Sequence, residues 1–270
     1  MTISVQELVN LIPYGTKLAI PADYAGVAME ATRALIRKGV RNLHIVGVPT
    51  SGLQSELLIG AGCVSIFESS ALTLGEYNPA YRFSDAVKNK SIDLVDATCP
   101  AIHAGLQASQ KGIPYMPLRG ILGSDLLKHH PNWKIIQNPF SQGDDPIVAI
   151  PAIQPDISLF HAPLGDKQGN VWVGRRRELV TMAQASKTTL VTVENIVDTN
   201  LLDDEKTAAG VIPSLYIGGV SVCPKGSWPL DFWQGDTEDT EHLNLYKQKS
   251  RTKEGFQDYL NEFVFSREHS

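Results

Sequence analysis

Cysteine is scarce in this chain: only Cys63, Cys99 and Cys223 occur among 270 residues. They stand far apart, with no CxxC pair and no His/Cys spacing, so no metal site is expected. Positive charge is short as well. The 24 Lys and Arg against 29 Asp and Glu leave a net charge of −5, which excludes the basic field that a nucleic-acid partner needs. No apolar run approaches the length of a membrane span, and "MTISVQELVNLIPYG" has no basic head followed by an apolar stretch. The expectation is a cytoplasmic protein with reduced thiols and no membrane partner. The dinucleotide fingerprint GxGxxG, the P-loop and the nucleophile elbow GxSxG are all missing.

What is present is a large apolar fraction, 43% of residues, patterned as alternating strands and helices. "VQELVNLI" places Val5, Leu8, Val9 and Ile12 on one helical face. "TKLAIPAD" reads as a strand. In "YAGVAMEATRALIRKGV", Val27, Ala31 and Leu35 recur at helical spacing, and Gly39 ends the helix after Arg37 and Lys38. "RNLHIVGV" is the next strand, so residues 16–48 form a βαβ unit with a parallel pair. Strands are further read in "GCVSIF", "IDLVD", "IPYMPLRG", "KIIQNPF", "IVAIPAI", "DISLFHA", "GNVWVG" and "TTLVTVEN". Helices are read in "CPAIHAGLQASQKG", closed by Gly112, in "RELVTMAQASK" and in the tail "EGFQDYLNEFVF". "GSDLLKHHPNWK" has Ser124 as a cap and a single helical turn. Apolar runs without alternation suit strands covered on both faces. The simplest organisation is one α/β domain over residues 1–270, with a mixed, mostly parallel sheet and a C-terminal helical tail.

In such sheets ligands sit beyond the carboxyl ends of the strands. The loops of interest are therefore Ala22–Gly26, Pro49–Gly52, Glu68–Asn78 and Asp96–Cys99. "PADYAGVAM" is a strand-to-helix turn whose backbone N–H groups favour an anion, with Asp23 readable equally as a plain helix cap. In "IFESSALTLGEYNP", Glu68, Ser69 and Ser70 leave a strand directly. Glu68 is a candidate nucleophile or base, or else a solvated strand end beside a capping serine. In "DATCP", Asp96 ends a strand, Thr98 or Cys99 caps the next helix and Pro100 suits its first turn. Cys99 could be paired with His103 one turn later, or be a structural thiol. "DISLFHAPLGDKQGN" offers a His161–Asp166 acid/base pair against an ordinary Asp-to-Asn turn joining two strands. "GRRRE", Arg175–Arg177, reads as a solvated turn or a local anion contact, since one or two cations suffice for a phosphate-bearing small ligand.

Side by side, "AIPADYAGVAMEATRALIRKGVRNLHIVG", "GLQASQKGIPYMPLRGILGSDLL", "NPFSQGDDPIVAIPAIQPDISLFHAPLGDKQGNV" and "TLVTVENIVDT" resemble the α-type subunit of family I coenzyme A transferases. The last three are most similar to the glutaconate type, and also to the α subunit of a ring-opening hydrolase of steroid breakdown. The resemblance implies a three-layer αβα fold and obligate pairing with a β-type chain, commonly as an α2β2 heterotetramer. It implies CoA as a substrate moiety without metal or redox cofactor. It also implies a glutamate nucleophile that attacks the thioester.

Two departures shape the expectation. The nucleophilic glutamate of the family stands in a Glu–Gly or Glu–Asn–Gly setting on the β-type chain, and "GEYN" is only a partial echo. The family's Gly-Gly-Phe-Gly loop is replaced by Pro21–Gly26. The expected activity is movement of CoA between an acyl-CoA and a small or dicarboxylic acid, with no catalytic residue assured on this chain and Glu68 and Asp96 as its candidate acids. Ala22, Asp23, Tyr24, Ala25, Gly26, Ser69, Ser70 and Cys99 would line the acyl pocket. The alternatives are a CoA-thioester or carbon–carbon hydrolase subunit on the same fold, and a non-catalytic binding subunit. The resemblance also assigns the Asp166–Asn170 turn to the scaffold.

Overall fold

The computed structural model describes residues 2–232 and 237–266. Ser4 and Glu7 close a reciprocal capping box at the start of α1, Val5–Asn10. Strand β1, Lys17–Pro21, leads through a 3-10 turn at Asp23–Ala25 into α2, Met29–Lys38. Gly39 ends α2 in the left-handed region at φ 72°. Lys38 does more than complement its own helix: its ammonium donates to the Val9 carbonyl in the last turn of α1 and to the Ile12 carbonyl just beyond it. Strand β2, Leu43–Val48, then pairs parallel to β1, completing the expected βαβ unit.

The next helix, α3 at Leu53–Gly60, has no counterpart in the sequence reading. The reason is physical. Residues Leu53 to Ile59 are all buried, so "LQSELLI" has no polar face to mark a helical period. Its polar side chains bond within the protein: Gln54 donates to Thr32 Oγ1, and the Glu56 carboxylate accepts the Arg82 and Phe83 N–H groups. Those N–H groups open α4, Tyr81–Lys88, which follows β3, Val64–Ser69. Strand β4, Asp93–Asp96, leads into α5, Cys99–Gln110, where Thr98 is the N-cap and Pro100 lies in the first turn.

The chain then runs through β5, Tyr115–Leu118; α6, Leu126–His129; β6, Lys134–Gln137; and β7, Pro146–Pro151. Strands β5, β7 and β6 form a separate three-stranded antiparallel sheet against α5. The second half contains β8, Ile157–Asp166; β9, Val171–Trp172; α7, Arg177–Ala185; β10, Thr188–Val197; α8, Glu205–Ala208; β11, Val211–Ile212; and β12, Ile217–Val222. Helices α9, Thr240–Lys249, and α10, Lys253–Leu260, finish the fold, with a π-helical turn at Asn261–Phe265.

The main sheet runs β4-β3-β2-β1-β8-β10-β12, parallel throughout, with β9 and β11 as a short antiparallel extension from the far end of β8. One face carries Leu18, Ile20, Ile45 and Phe67 beneath α1, α2, α3, α9 and α10. The other carries Ala19, Val46, Phe160 and Val191 beneath α5 and α7. Alternate residues of β1 thus enter opposite cores, which is why its sequence is a continuous apolar run. Each fully buried Leu, Ile or Phe contributes about 1.5–3 kcal/mol. These two cores hold the strand ends in a fixed row. Among the described residues no helix is long and apolar enough to cross a membrane.

Candidate active site

Because the central strands are parallel, their carboxyl ends form one rim. In strand order it is built from Asp96–Cys99, Ser69–Ser70, Pro49–Gly52, Asp23–Gly26, the interior of β8 at His161, Glu194, and the Lys225–Gly226 turn after β12.

At the β1–β2 position, Asp23 reaches across to α3. Its Oδ2 accepts the Leu53 N–H at 2.9 Å, while Oδ1 is buried without a hydrogen-bond partner among the described residues. Burial pushes this carboxyl up to about 6; the Leu53 N–H opposes the rise, and the nearby Asp231 adds to it. Gly52 is required here, since a Cβ at that position would overlap the Asp23 carboxylate. Asp23 therefore caps a helix and holds its proton to higher pH than an ordinary carboxylate does. Ala22 and Ala25 are buried beside it, whereas Tyr24 is exposed with the Arg176 guanidinium over its ring. Gly26 sits at φ 97° and its carbonyl accepts the His161 N–H; a Cβ there would strike the His161 carbonyl.

At the β3–β4 position, Ser70 and Cys99 meet, with Oγ and Sγ 3.1 Å apart. The Ser70 hydroxyl donates to the Pro49 carbonyl at 2.7 Å, so its one proton is committed and the Cys99 thiol is the donor between them. Ser69 is buried and turned inward to the Ala71 carbonyl. His103 makes no hydrogen bond to Cys99. Burial lowers its pKa, and the charge of Glu178 on α7 only partly opposes this. The Cys99–His103 pairing is thus not formed. Asp96 is exposed at the end of the outermost strand; its backbone carbonyl takes the imidazole of His130, which stacks on Trp133.

Glu68 does not stand at the rim. It lies within β3, opposite Val46, and its carboxylate contacts Lys17 Nζ at 3.1 Å and His44 Nε2 at 2.9 Å. Burial raises its pKa, but the His44 hydrogen bond and the Lys17 charge outweigh it and hold the carboxyl below the usual value. The reason is the pleat. Ser69 and Glu68 point to opposite faces, so Glu68 joins a polar row across β1, β2 and β3. Glu76, in "GEYN", is exposed in a 3-10 turn, Gly75–Tyr77.

His161 and Asp166 are not partners. The Asp166 carboxylate is saturated by the Gln168, Asn170 and Leu201 N–H groups and the Asn170 side-chain amide, all within 3.0 Å. Burial raises its pKa, yet these donors hold it below the ordinary range. It is an Asx turn with Gly169 at φ 87°.

His161 instead bonds Glu194 Oε1 through Nε2 at 2.6 Å and Thr192 Oγ1 through Nδ1 at 2.8 Å, fully buried against Phe232. Glu194 Oε2 also accepts the Lys225 N–H at 2.8 Å. Burial pushes the Glu194 pKa up, but the His161 and Lys225 hydrogen bonds prevail and hold it below the ordinary carboxylate value. Sequence reasoning passes over this pair. The signal was available: β8 and β10 flank a crossover helix, and the parallel register sets Thr192 against His161.

The comparisons accord with this geometry. The chain is 31% identical over 245 residues to the A-type subunit of the 3-oxoadipate CoA-transferase of Pseudomonas knackmussii, covering 88% of this chain and 84% of that one. The chain belongs to the family of A-type CoA-transferase subunits. Such a chain is one part of a heteromeric enzyme. An uncharacterised protein of Archaeoglobus fulgidus is 30% identical over 98% of this chain, which spans 59% of that protein's length. Among solved structures, the glutaconate coenzyme A-transferase of Acidaminococcus fermentans superposes with a TM-score of 0.88 at 23% identity, covering 99% of this chain and 90% of that one, which establishes the three-layer fold. No family model matches.

Proposed function

We propose that this chain is the A-type half of a CoA transferase that moves CoA between an acyl-CoA and a small or dicarboxylic acid. It works with a β-type partner in a heterotetramer, with CoA as a substrate moiety and no further cofactor. The relation to the A-type half of a CoA transferase over most of both chains carries this reading. The state of this chain's candidate acids supports the division of labour. Asp23 is half-buried with its carboxylate against a helix start, Glu68 is held by Lys17 and His44, and Glu194 is held by His161 and the Lys225 N–H. A carboxylate whose oxygens are enclosed, or whose lone pairs are taken by donors, is a poor nucleophile. Of these candidate acids Asp96 alone is open, on the outermost strand.

The reactive glutamate accordingly comes from the partner. Its carboxylate attacks the thioester carbonyl, expelling CoA thiolate and leaving a mixed anhydride. The thiolate then attacks the glutamyl carbonyl, releasing the first acid and leaving a glutamyl–CoA thioester, and a second acid reverses both steps. In this scheme Ala22–Gly26 and the Ser69, Ser70 and Cys99 group line the acyl pocket from this side. The thiol and hydroxyl of Cys99 and Ser70 orient the acyl group, and Asp23 restricts the pocket where other members carry glycine.

The test is to coexpress the chain with candidate β-type chains, incubate the complex with acyl-CoA, and trap the intermediate with borohydride or hydroxylamine. Modification on the β-type chain is expected. Modification on this chain, or release of free CoA without any acceptor acid, would overturn the assignment.

A further inference from the structure

A cleft of about 670 Å³ opens beside Tyr24, lined by Trp172, Gly174, Arg175, Arg176, Arg177 and Lys206, with Asp231 as the acidic side chain on its wall. Among the described residues, four cations thus face one carboxylate. Arg175, Arg176 and Lys206 form no ion pair among the described residues; Arg176 lies over Tyr24, and Arg177 donates to the Ala209 carbonyl. Like charges in excess of their counter-charges repel one another, and the fold tolerates them most readily where an anion is to be received. The start of α7 points the same way. This helix begins at Arg177, and its N-cap, Arg176, provides no side-chain hydrogen bond, so its partial positive charge adds to the cluster. The two wall segments pack closely: the Val173 N–H donates to the Gly210 carbonyl, and a Cβ on Gly210 would overlap Gly174.

We infer that this cleft is a binding site for a multiply charged oxyanion. A monocarboxylate would leave most of the charge uncompensated and most of the volume empty. Two sources share the required chemistry: the phosphates of the CoA nucleotide, and the carboxylates of a diacid. Arg forks suit either by paired N–H···O bonds. The inference rests on the CoA-transferase reading for its ligand class, but binding can be read without turnover.

The experiment uses the complex with its β-type partner. Binding of the phosphorylated nucleotide fragment of CoA, and separately of glutarate, is measured by calorimetry at two salt concentrations for the wild type, R175E/K206E and the milder R175Q/K206Q. One of the two probes is expected to lose at least about tenfold in affinity in both variants, with a flatter salt dependence. Loss for the nucleotide fragment identifies phosphate as the source; loss for glutarate identifies carboxylate. The site is refuted if neither affinity moves more than about twofold while circular dichroism reports a folded protein. It is equally refuted if the variants fail to assemble but the isolated chain binds both probes unchanged, since the cations would then serve the interface between the two chains. An inactive complex that still binds a probe through these residues would refute the transferase reading and leave the site standing.

Discussion

The two ends of the strand-end rim are built differently. At the β8–β10 end, His161 is fully buried, both ring nitrogens are engaged, and Glu194 accepts from His161 and from the Lys225 N–H. At the β3–β4 end, Ser70 and Cys99 share one contact at an exposed position, and the edge strand leaves Leu94 46% exposed. A saturated, enclosed polar cluster contributes to stability, because every group in it would be costly to leave alone. An open pair of hydroxyl and thiol on an edge contributes little to folding and is available to whatever approaches. The rim is therefore a scaffold on one side and a receptive surface on the other.

The largest expected effect comes from breaking the saturated end. Glu194→Ala strands the His161 Nε2–H and the Lys225 N–H, and should cost about 2–4 kcal/mol of stability. Denaturant titration measures it, and a loss below about 0.5 kcal/mol would mean that the cluster is not structural.

Asp23, between the two ends, should show an intermediate and pH-dependent effect. Its folded pKa of about 6 lies above the ordinary carboxylate value. The contribution of this group is therefore fully present below the unfolded pKa and is lost as pH rises through the folded one. Asp23→Asn keeps an oxygen to accept the Leu53 N–H and removes the titration. Relative to the wild type it should gain on the order of 2 kcal/mol between about pH 4 and pH 7, then level off. Parallel melts across that range decide it; a flat difference would show that Asp23 ionises freely.

The smallest effect on folding belongs to the open end. Cys99→Ala should change stability by no more than about 0.5 kcal/mol. The same exposure makes Cys99 the thiol that iodoacetamide modifies first, because Cys63 and Cys223 are buried and burial pushes both thiols up to about 11. Peptide mapping of a partially labelled sample should find Cys99 modified well ahead of the others. Equal labelling would erase the contrast between the two ends.

Much of the scaffold was legible from residue order. The βαβ unit at residues 16–48 could be read because α2 shows a helical period and Gly39 closes it, and the Asp166–Asn170 turn because Asp, Gly and Asn have local conformational preferences. Helix α3 was not legible, since burial on all sides erases periodicity. Nor was the separate sheet of β5, β7 and β6, because strand partners are a property of pairing rather than of composition. At the rim, Ser70 and Cys99 were identifiable individually as loop residues, but their contact was not. Glu68 looked like a rim residue because it precedes Ser69, and the pleat sends it to the opposite face.

The sequence by itself determined the alternation of strands and helices, the turn at Asp166, and the motifs that resemble the A-type half of a CoA transferase, because each depends on residues close together along the chain. Only the tertiary structure decided that His161 meets Glu194, that Glu68 is neutralised by Lys17 and His44, and that three consecutive arginines line a cleft with Lys206. Those outcomes depend on strand register and layer packing, which bring together groups that no local pattern relates.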